Sequence, residues 1–321
     1  MRFGAGLWCL QSTATMPRHP SVAYQELLED ARLMDRLGYD SLWLSEHHFF
    51  YDGYCPSLPT AAAAALAVTE RLHVASGMLL APMHHPVRMA AQTAALHARS
   101  AGRFELGVGL GYRDVEFDGK GVPRAERVQR RKQVLHEVRD TAPEVPVWLG
   151  SALPDAVERA GRHGHGVLFS GANPLTLVRD LADAHRRGYE GSDGSRPRPR
   201  VAALRNVWVT EDAAEREAVL DWFRASYVLY AGLGWSVPKR GETAAMDFRA
   251  ELDKALDDAV ATAIIGPADE VIEGLAEVGQ AGVDDVVFRV VVEGAPQAAV
   301  HEVLHRLAEE VMPALRDVEA A

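Results

Sequence analysis

Residues 39–50 read YDSLWLSEHHFF, and this segment constrains the fold more than any other. Its apolar run, Ser41–Leu44, has the length and composition of a buried parallel strand. Four polar residues follow at once, from Ser45 to His48. Polar side chains at the C-terminal end of a buried parallel strand are typical of the active-site rim of a barrel enzyme. Adjacent residues of an extended chain point to opposite faces, so we expect only one of His47 and His48 to face the barrel mouth.

The rest of the chain alternates between strand-like and helix-like segments. Helical periodicity is found at residues 24–37, 60–68, 87–99 and 155–163, and in a closing helix through Arg316. Strand-like runs occupy residues 3–9, 41–44, 72–76, 103–108, 145–150, 166–170, 201–210 and 285–292. About eight β-α units predict a closed (β/α)8 TIM barrel formed by a single domain over residues 1–321. Residues 188–200, rich in Gly, Ser, Pro and Arg, predict a surface loop.

One segment is too long for a simple crossover between the seventh and eighth strands. Residues 222–262 form this insertion, and its first part is rich in aromatic side chains. These are Trp222, Phe223, Tyr227, Tyr230 and Trp235. The pattern predicts a lid or pocket wall over the barrel mouth, and equally a dimer or packing surface.

Composition excludes several classes of function. The 321 residues include 34 basic and 45 acidic side chains, and the net charge is -11. This balance argues against general nucleic-acid binding and against a polybasic membrane surface. Cys9 and Cys55 form no C-x-x-C pair, which suits a reducing compartment. No signal peptide or membrane-spanning run is evident, so we expect a cytoplasmic protein.

Two tempting motifs are rejected. The run GVGLGY resembles a dinucleotide fingerprint, but Tyr112 stands where the third glycine belongs, and no β-α unit with an acidic residue follows in register. The glycines instead let the chain leave the fourth strand tightly. Histidine pairs suggest a metallohydrolase, but their spacing is unconvincing, so no metal is predicted. These pairs are His47–His48, His84–His85 and His163 with His165.

Several motifs in order resemble one known family. SLWLSEHHF, HHPVRMA, GRFELGVGLGY, VPVWLGSALPDAVERAG and IIGPADEVIEGLAEVGQAGVDDVVFRV are similar to the bacterial luciferase-like flavin-dependent monooxygenases. The resemblance covers nearly the whole chain and implies a (β/α)8 barrel. It also implies reduced FMN, or the deazaflavin F420, bound at the C-terminal mouth. Members that use FMN react with molecular oxygen and generally receive reduced flavin from a separate flavin reductase.

The resemblance also implies roles for individual residues. His47 corresponds to the family's active-site histidine, which hydrogen-bonds or exchanges a proton near the reactive edge of the flavin; a pKa near 6.5 for free histidine suits this work. A cis peptide bond that supports the flavin ring is expected at Gly77–Met78. Further cofactor contacts are expected from glycines and serines at the ends of the fourth, fifth and sixth strands: Gly109, Gly111, Ser151, Ser170 and Gly171.

Ser151 also has a physical argument. It precedes a predicted helix, whose N-terminus offers free N–H groups and the positive end of a dipole to a phosphate group. The alternative is that Ser151 simply caps this helix. We expect the substrate, a small apolar or aromatic organic molecule, to contact Leu80, Leu110, Tyr230 and Trp235.

One position departs from the family pattern. Leu110 stands where members often have an arginine in the turn after the fourth strand, which removes one expected phosphate or ring contact. Arg113, Arg205 or Arg289 could compensate, although ion pairing is the simpler explanation for each. On the resemblance as a whole, we predict an FMN-dependent monooxygenase, and we expect it to form a homodimer. The alternatives are an F420-dependent oxidoreductase that transfers hydride, and a non-catalytic barrel subunit of a heteromeric enzyme.

Overall fold

The protein forms a closed parallel barrel surrounded by helices. The computed structural model describes residues 1–8, 10–13, 16–50, 53–232, 256–257 and 260–316. In this part of the chain the barrel strands, numbered β1 to β8, are Arg2–Trp8, Ser41–Leu44, His73–Ser76, Phe104–Gly109, Val147–Gly150, Gly166–Phe169, Val201–Val209 and Asp285–Arg289. Each strand pairs in parallel with the next along the chain. β8 also pairs with β1, which closes the barrel and confirms the predicted fold.

The helices pack outside this barrel. Helices α1 to α10 are Pro20–Leu37, Leu58–Ala67, Pro86–Arg99, Asp114–Gly119, Arg127–Thr141, Pro154–Arg162, Leu175–Glu190, Ala213–Gly232, Ala268–Gln280 and Gln297–Arg306. A π-helical turn, Leu307–Val311, and a short helix, Met312–Leu315, follow. α1 ends at Gly38, as its glycine suggests. Gly38 has a φ of 79°, in the left-handed region that glycine adopts without strain. Among the described residues, no helix combines the length and apolar character needed to span a membrane.

The structure corrects the prediction in two regions. The segment between β4 and β5, for which the sequence predicts no helix, contains both α4 and α5. The insertion after β7 begins inside α8 and is followed by a short strand, Ile264–Gly266, which pairs with β7. Phe223 and Tyr227 are buried on α8, whereas Trp222 packs on Trp208 with their ring centroids 5.5 Å apart. Residues 233–255 of the insertion lie outside the described residues.

The barrel interior contains two different layers. Apolar side chains fill the middle, where the Trp43 and Trp148 rings meet edge to face at 5.2 Å between centroids. Charged side chains close the N-terminal end. Arg200 donates to Glu105 at 2.7 Å and to Asp285 at 2.6 Å, and the Trp148 indole N–H donates to Glu105 at 2.7 Å. The interior is therefore packed and sealed at the end opposite the strand C-termini.

Candidate active site

A cavity of about 490 Å³ opens at the C-terminal ends of the strands. This is the end at which parallel barrels carry their active sites. The residues that follow β2, β3, β4, β5 and β6 supply most of its wall, and α8 and β8 each add one side chain. The lining residues include Ser45, Glu46, His47, Tyr54, Gly77, Met78, Leu80, Gly109, Leu110, Gly111, Tyr112, Gly150, Ser151, Ser170, Gly171, Asn173, Leu204, Tyr227 and Arg289.

His47 is the histidine that faces the cavity. Its Nδ1 lies 2.9 Å from Glu116 Oε1, and the hydroxyl of Tyr112 lies 3.3 Å from its Nε2. A carboxylate only accepts hydrogen bonds, so Nδ1 carries the proton and Nε2 has a lone pair when the imidazole is neutral. The Tyr54 and Phe50 rings pack against the imidazole at 4.8 and 5.1 Å between centroids. The ring is thus fixed by packing and by a buried carboxylate.

Glu116 connects the two adjacent histidines. The same Oε1 accepts the backbone N–H of His48 at 2.8 Å, and the Glu116 side chain is fully buried. Its carboxylate therefore holds both the His47 ring and the turn that presents it. The expectation that only one of the two histidines faces the barrel mouth is confirmed, because His48 is buried away from the cavity lining.

Glu46 holds a second network on the other side of this turn. Its carboxylate accepts the backbone N–H of Leu80 at 2.8 Å and contacts His84 Nε2 at 3.0 Å and His48 Nε2 at 3.3 Å. Burial would raise the pKa of Glu46, but hydrogen bonds and charge from His48 and His84 outweigh burial and lower this pKa to about 2. The network fastens the turn after β2 to the chain that follows β3.

Glu46, His48 and His84 bear on the prediction that the protein binds no metal. The ligand atoms of Glu46, His48 and His84 lie within 4.8 Å of one another. A buried carboxylate therefore lies beside His48 and His84, which each belong to one of the histidine pairs noted in the sequence. Two histidines and a carboxylate are a donor set that divalent metals accept. Here the Glu46 carboxylate forms hydrogen bonds with the Leu80 amide and with His84 Nε2, whereas His48 Nε2 lies 3.3 Å from Glu46 Oε1 and makes no hydrogen bond among the described residues. The absence of a metal stays a prediction.

The wall formed by β3, β4 and β5 is shaped around Met78. The peptide bond between Gly77 and Met78 is cis, which confirms the expected position. A Cβ added at Gly109 would lie 3.2 Å from Met78 Cβ, and one added at Gly150 would lie 3.3 Å from Met78 Cγ. These glycines let the Met78 side chain lie flat across the strand ends. Gly111 has a φ of 70°, so a side chain there would be strained as well as crowded.

The predicted site residues are brought together in this one cavity. The seven expected cofactor contacts and the substrate contacts Leu80 and Leu110 all line it. The neighbouring Leu79 belongs to the hydrophobic core and does not line the cavity. Tyr230 belongs to α8, but its side chain, like all of Trp235, lies outside the described residues. The roles of these residues remain predictions.

Ser151 and Ser170 line the cavity, and each lies in a turn closed by a hydrogen bond between a side chain and a backbone N–H. The Ser151 hydroxyl accepts the N–H of Leu153 at 3.2 Å, and Leu153, not Ser151, is the N-cap of α6. The alternative of a plain N-cap at Ser151 is therefore wrong. The N–H of Ser170 donates to the Asn173 side chain at 3.0 Å.

The three arginines that could compensate for the arginine missing at position 110 differ in their contacts. Arg113 stacks over the Phe50 ring at 3.8 Å and lies 3.9 Å from Glu116, so ion pairing contributes to its role. Arg289 lines the cavity and lies over the Tyr227 ring at 5.2 Å. Ion pairing is wrong for Arg205: within the described residues its buried guanidinium has no carboxylate partner and donates only to backbone carbonyls.

Sequence reasoning missed the residues that orient His47. Glu116 and Tyr112 lie in GYRDVEF, directly after β4, and Tyr54 follows the histidine pair. The usable signal was position, because acidic and aromatic residues just after a barrel strand lie at the mouth. The sequence predicts no helix between β4 and β5, so the prediction includes neither α4 nor its buried carboxylate.

Comparison with known proteins identifies the family. The model of the luciferase-like monooxygenase family matches residues 1–142 and 132–285. The chain is 27% identical over 299 residues to 4-hydroxyprotoasukamycin monooxygenase of Streptomyces nodosus, covering 82% of this chain and 78% of that protein. It is 23% identical over 337 residues to the oxygenase component of flavin-dependent trigonelline monooxygenase of Acinetobacter baylyi, covering 92% and 90%. Its alignment with an uncharacterized protein of Sinorhizobium fredii, at 27% identity, covers 60% of this chain and 63% of that protein.

Solved structures share the fold over nearly the full length. Monooxygenase RslO1 of Streptomyces bottropensis superposes with a TM-score of 0.82 at 23% identity, covering 98% of this chain and 99% of that one. The oxygenating constituent of 3,6-diketocamphane monooxygenase of Pseudomonas putida, solved with FMN, gives 0.77 at 16% identity and covers 98% of each chain. An F420-dependent secondary alcohol dehydrogenase gives 0.74 at 17% identity, covering 98% and 99%. Fold, cavity position and the match to the family model lead to one conclusion: the chain belongs to the luciferase-like monooxygenase family.

Proposed function

We propose that this chain is the oxygenase of a two-component, flavin-dependent monooxygenase. It would bind reduced FMN in the cavity at the barrel mouth and use molecular oxygen to oxygenate a small apolar or aromatic organic substrate. The observation that carries this proposal is His47, held by the buried Glu116 carboxylate with its Nε2 toward the cavity. An imidazole fixed in this way is equipped for proton transfer next to a bound molecule.

The residues present fit a flavin. The cavity volume of about 490 Å³ lies within the range of small-molecule sites, roughly 300–1,000 Å³. Gly109 and Gly150 leave the strand ends open to a flat ring beside Met78. The Ser151 and Ser170 hydroxyls and the Arg289 guanidinium line the same cavity and offer hydrogen-bond donors to phosphate or ring oxygens.

The overall reaction balances with one substrate, one O₂ and one reduced FMN giving oxygenated substrate, water and oxidised FMN. Reduced FMN, when bound, supplies the two electrons and activates oxygen. His47 would accept or donate the proton that this exchange requires, through Nε2. Glu116 keeps Nδ1 protonated and fixes the ring orientation. Leu80 and Leu110 form an apolar part of the wall that would contact the substrate and exclude water.

The proposal extends to the supply of electrons. The glycine-rich turn after β4 lacks the dinucleotide fingerprint, so NADH and NADPH are not expected to bind. One relative is named as the oxygenase component of a flavin-dependent enzyme. We therefore place the reductase on a separate protein. Assembly as a homodimer and a cytoplasmic location remain predictions.

A second candidate function follows from Leu110. Without an arginine at this turn, the wall offers FMN one cation fewer, which weakens the case for FMN and leaves the deazaflavin F420, in a hydride transfer without oxygen, as the alternative. Similarity to an F420-dependent dehydrogenase is compatible with this alternative. The third reading, a non-catalytic subunit, would leave the His47 arrangement without use.

An anaerobic titration tests these alternatives. Purified protein is titrated separately with reduced FMN, oxidised FMN, reduced F420 and NADPH, and binding is followed by flavin and protein fluorescence. We expect reduced FMN to bind more tightly than oxidised FMN and NADPH not to bind. Saturable NADPH binding without flavin would contradict the proposal. Tight binding of F420 with none of FMN would favour the second candidate, and binding of neither would favour the non-catalytic subunit.

A further inference from the structure

A second cavity, of about 630 Å³, lies outside the barrel. Residues of α5 form one side, residues of α6 the other, and the chain from Ser192 to Arg196, in the loop between α7 and β7, closes one end. It extends from Ser151, after β5, to His165, just before β6. Among the described residues, Ser151 alone lines both this cavity and the candidate active site. We refer to this second space as the α5–α6 cavity.

The α5–α6 cavity is basic in a protein whose net charge is -11. Among its lining residues the sole carboxylate is that of Asp193. Six lysine or arginine side chains and three histidines surround it: Arg131, Lys132, Arg139, Arg159, Arg162, Arg196, His136, His163 and His165. Arginines on an acidic protein are normally distributed among carboxylates. This cluster of positive side chains creates a positive potential that would attract an anionic ligand.

Several of these cations have no carboxylate partner among the described residues. Within the described residues, no carboxylate lies within 4 Å of Arg131, Arg159 or Arg196, whereas Arg162 pairs with Glu158 at 2.8 Å. Within the part of the chain that the structure describes, Arg131 Nε and His165 Nδ1 are both buried without a hydrogen-bond partner. The Arg196 side chain packs against Gly164, and among the described residues it donates only to the backbone carbonyl of His163, at 3.5 Å.

The electrostatics of the cavity agree with this geometry. Burial, followed by the positive charges of His163, Arg196, Arg131 and Arg139, together lower the pKa of His165 to about 4. Burial and the charge of Arg159 also lower the pKa of Arg131. Both side chains therefore experience an uncompensated positive potential. A bound anion would relieve it and would receive hydrogen bonds from the nitrogens that lack an acceptor.

We propose that the α5–α6 cavity binds a small phosphorylated organic molecule. Arginine forks match phosphate oxygens in charge and geometry, which accounts for Arg131, Arg159 and Arg196. Leu135, Leu149 and Tyr189 line the same space and would contact the organic part. A concave cavity of this volume fits a nucleotide-sized ligand better than the flat surface of a macromolecule. The proposal is independent of which flavin the barrel mouth binds.

Two probes distinguish the sources of the phosphate. Isothermal titration calorimetry measures binding of inorganic pyrophosphate and of ADP to the full-length protein at low salt. The test variant is Arg159→Gln/Arg196→Gln. Its matched control is Arg179→Gln/Arg187→Gln, which removes the same charge from exposed positions of α7 outside the cavity. Circular dichroism confirms that both variants are folded.

We expect saturable binding to wild type and to the α7 control. The cavity variant should bind at least about tenfold more weakly, since two charge-assisted contacts are lost. Tighter binding of ADP would identify an organic phosphate, whereas tighter binding of pyrophosphate would support a phosphate site but contradict contacts to an organic part. The proposal fails if neither probe binds wild type, or if both variants bind like wild type. It also fails if the cavity variant loses reduced FMN to the same extent, because the cations would then serve the flavin phosphate.

Discussion

Replacing Glu46 by glutamine tests whether the buried network beside the cavity depends on charge. Glu46 is 1% exposed, and its carboxylate receives the Leu80 amide and contacts His48 and His84. Its pKa of about 2 in the folded protein compares with an ordinary value of 4.5. This pKa difference corresponds to about 3 kcal/mol of unfolding free energy at pH 7, since one pKa unit is about 1.4 kcal/mol.

The direction with pH follows from the lowered pKa. The unfolded chain takes up the proton near pH 4.5 and the folded chain only near pH 2, so the contribution of Glu46 is complete above pH 5 and is lost as the pH falls. At pH 3 a little under half of this contribution should remain, and at pH 2 only a small part of it. Glu46→Gln keeps the size of the side chain and one acceptor, but it cannot show this dependence.

Urea unfolding of both proteins, followed by tryptophan fluorescence at pH 7, 5, 4 and 3, measures the effect. The stability difference between wild type and Glu46→Gln should shrink by about half between pH 7 and pH 3. Glu190→Gln, an exposed position on α7, is the matched control, and its difference should stay near zero throughout. A difference for Glu46→Gln that does not change with pH would refute the assigned electrostatic role.

Three further predictions concern catalysis. His47→Ala should fold normally but lower turnover by about 10²–10⁴-fold, which is the usual loss for a positioned acid–base group. His48→Ala and Glu116→Gln should cause smaller losses. Wild-type turnover in His47→Ala would refute the assigned role. Activity should survive exhaustive chelation, and stoichiometric metal together with activity restored by that metal would contradict this. Trp235→Ala should increase the share of electrons lost as hydrogen peroxide more than it weakens flavin binding. A shift in solution mass with unchanged peroxide yield would instead assign Trp235 to a dimer interface.

Much of the barrel could be predicted because its signals are local. β2 occurs at the predicted residues 41–44, since a buried parallel strand is a short apolar run bounded by polar residues. α3 begins at Pro86 because proline suits a first helical turn. By contrast, α5 has few buried residues, Val134 and Val138 among them, so its apolar pattern is weak and it was missed.

The site could be predicted only in part, for a related reason. His47 and the strand-end glycines are recognisable from their positions at the ends of predicted strands. Glu116 is separated from His47 by 69 positions, and its pairing depends on how α4 folds back over the mouth. The basic character of the α5–α6 cavity is likewise a tertiary property, because Arg131, Arg159 and Arg196 belong to three separate segments.

The charged closure at the bottom of the barrel has a consequence for how this protein can change. Glu105, Arg200 and Asp285 join β4, β7 and β8 at the end remote from the cavity, and none of them lines it. Substitutions at the two ends should therefore act additively on stability, as they do for sites without shared partners. Loops at the mouth can then be exchanged or lengthened to accept new substrates while the opposite end keeps the strands in register. Substrate specificity would then depend on the loops at the barrel mouth, and strand pairing would depend on the charged residues at the opposite end.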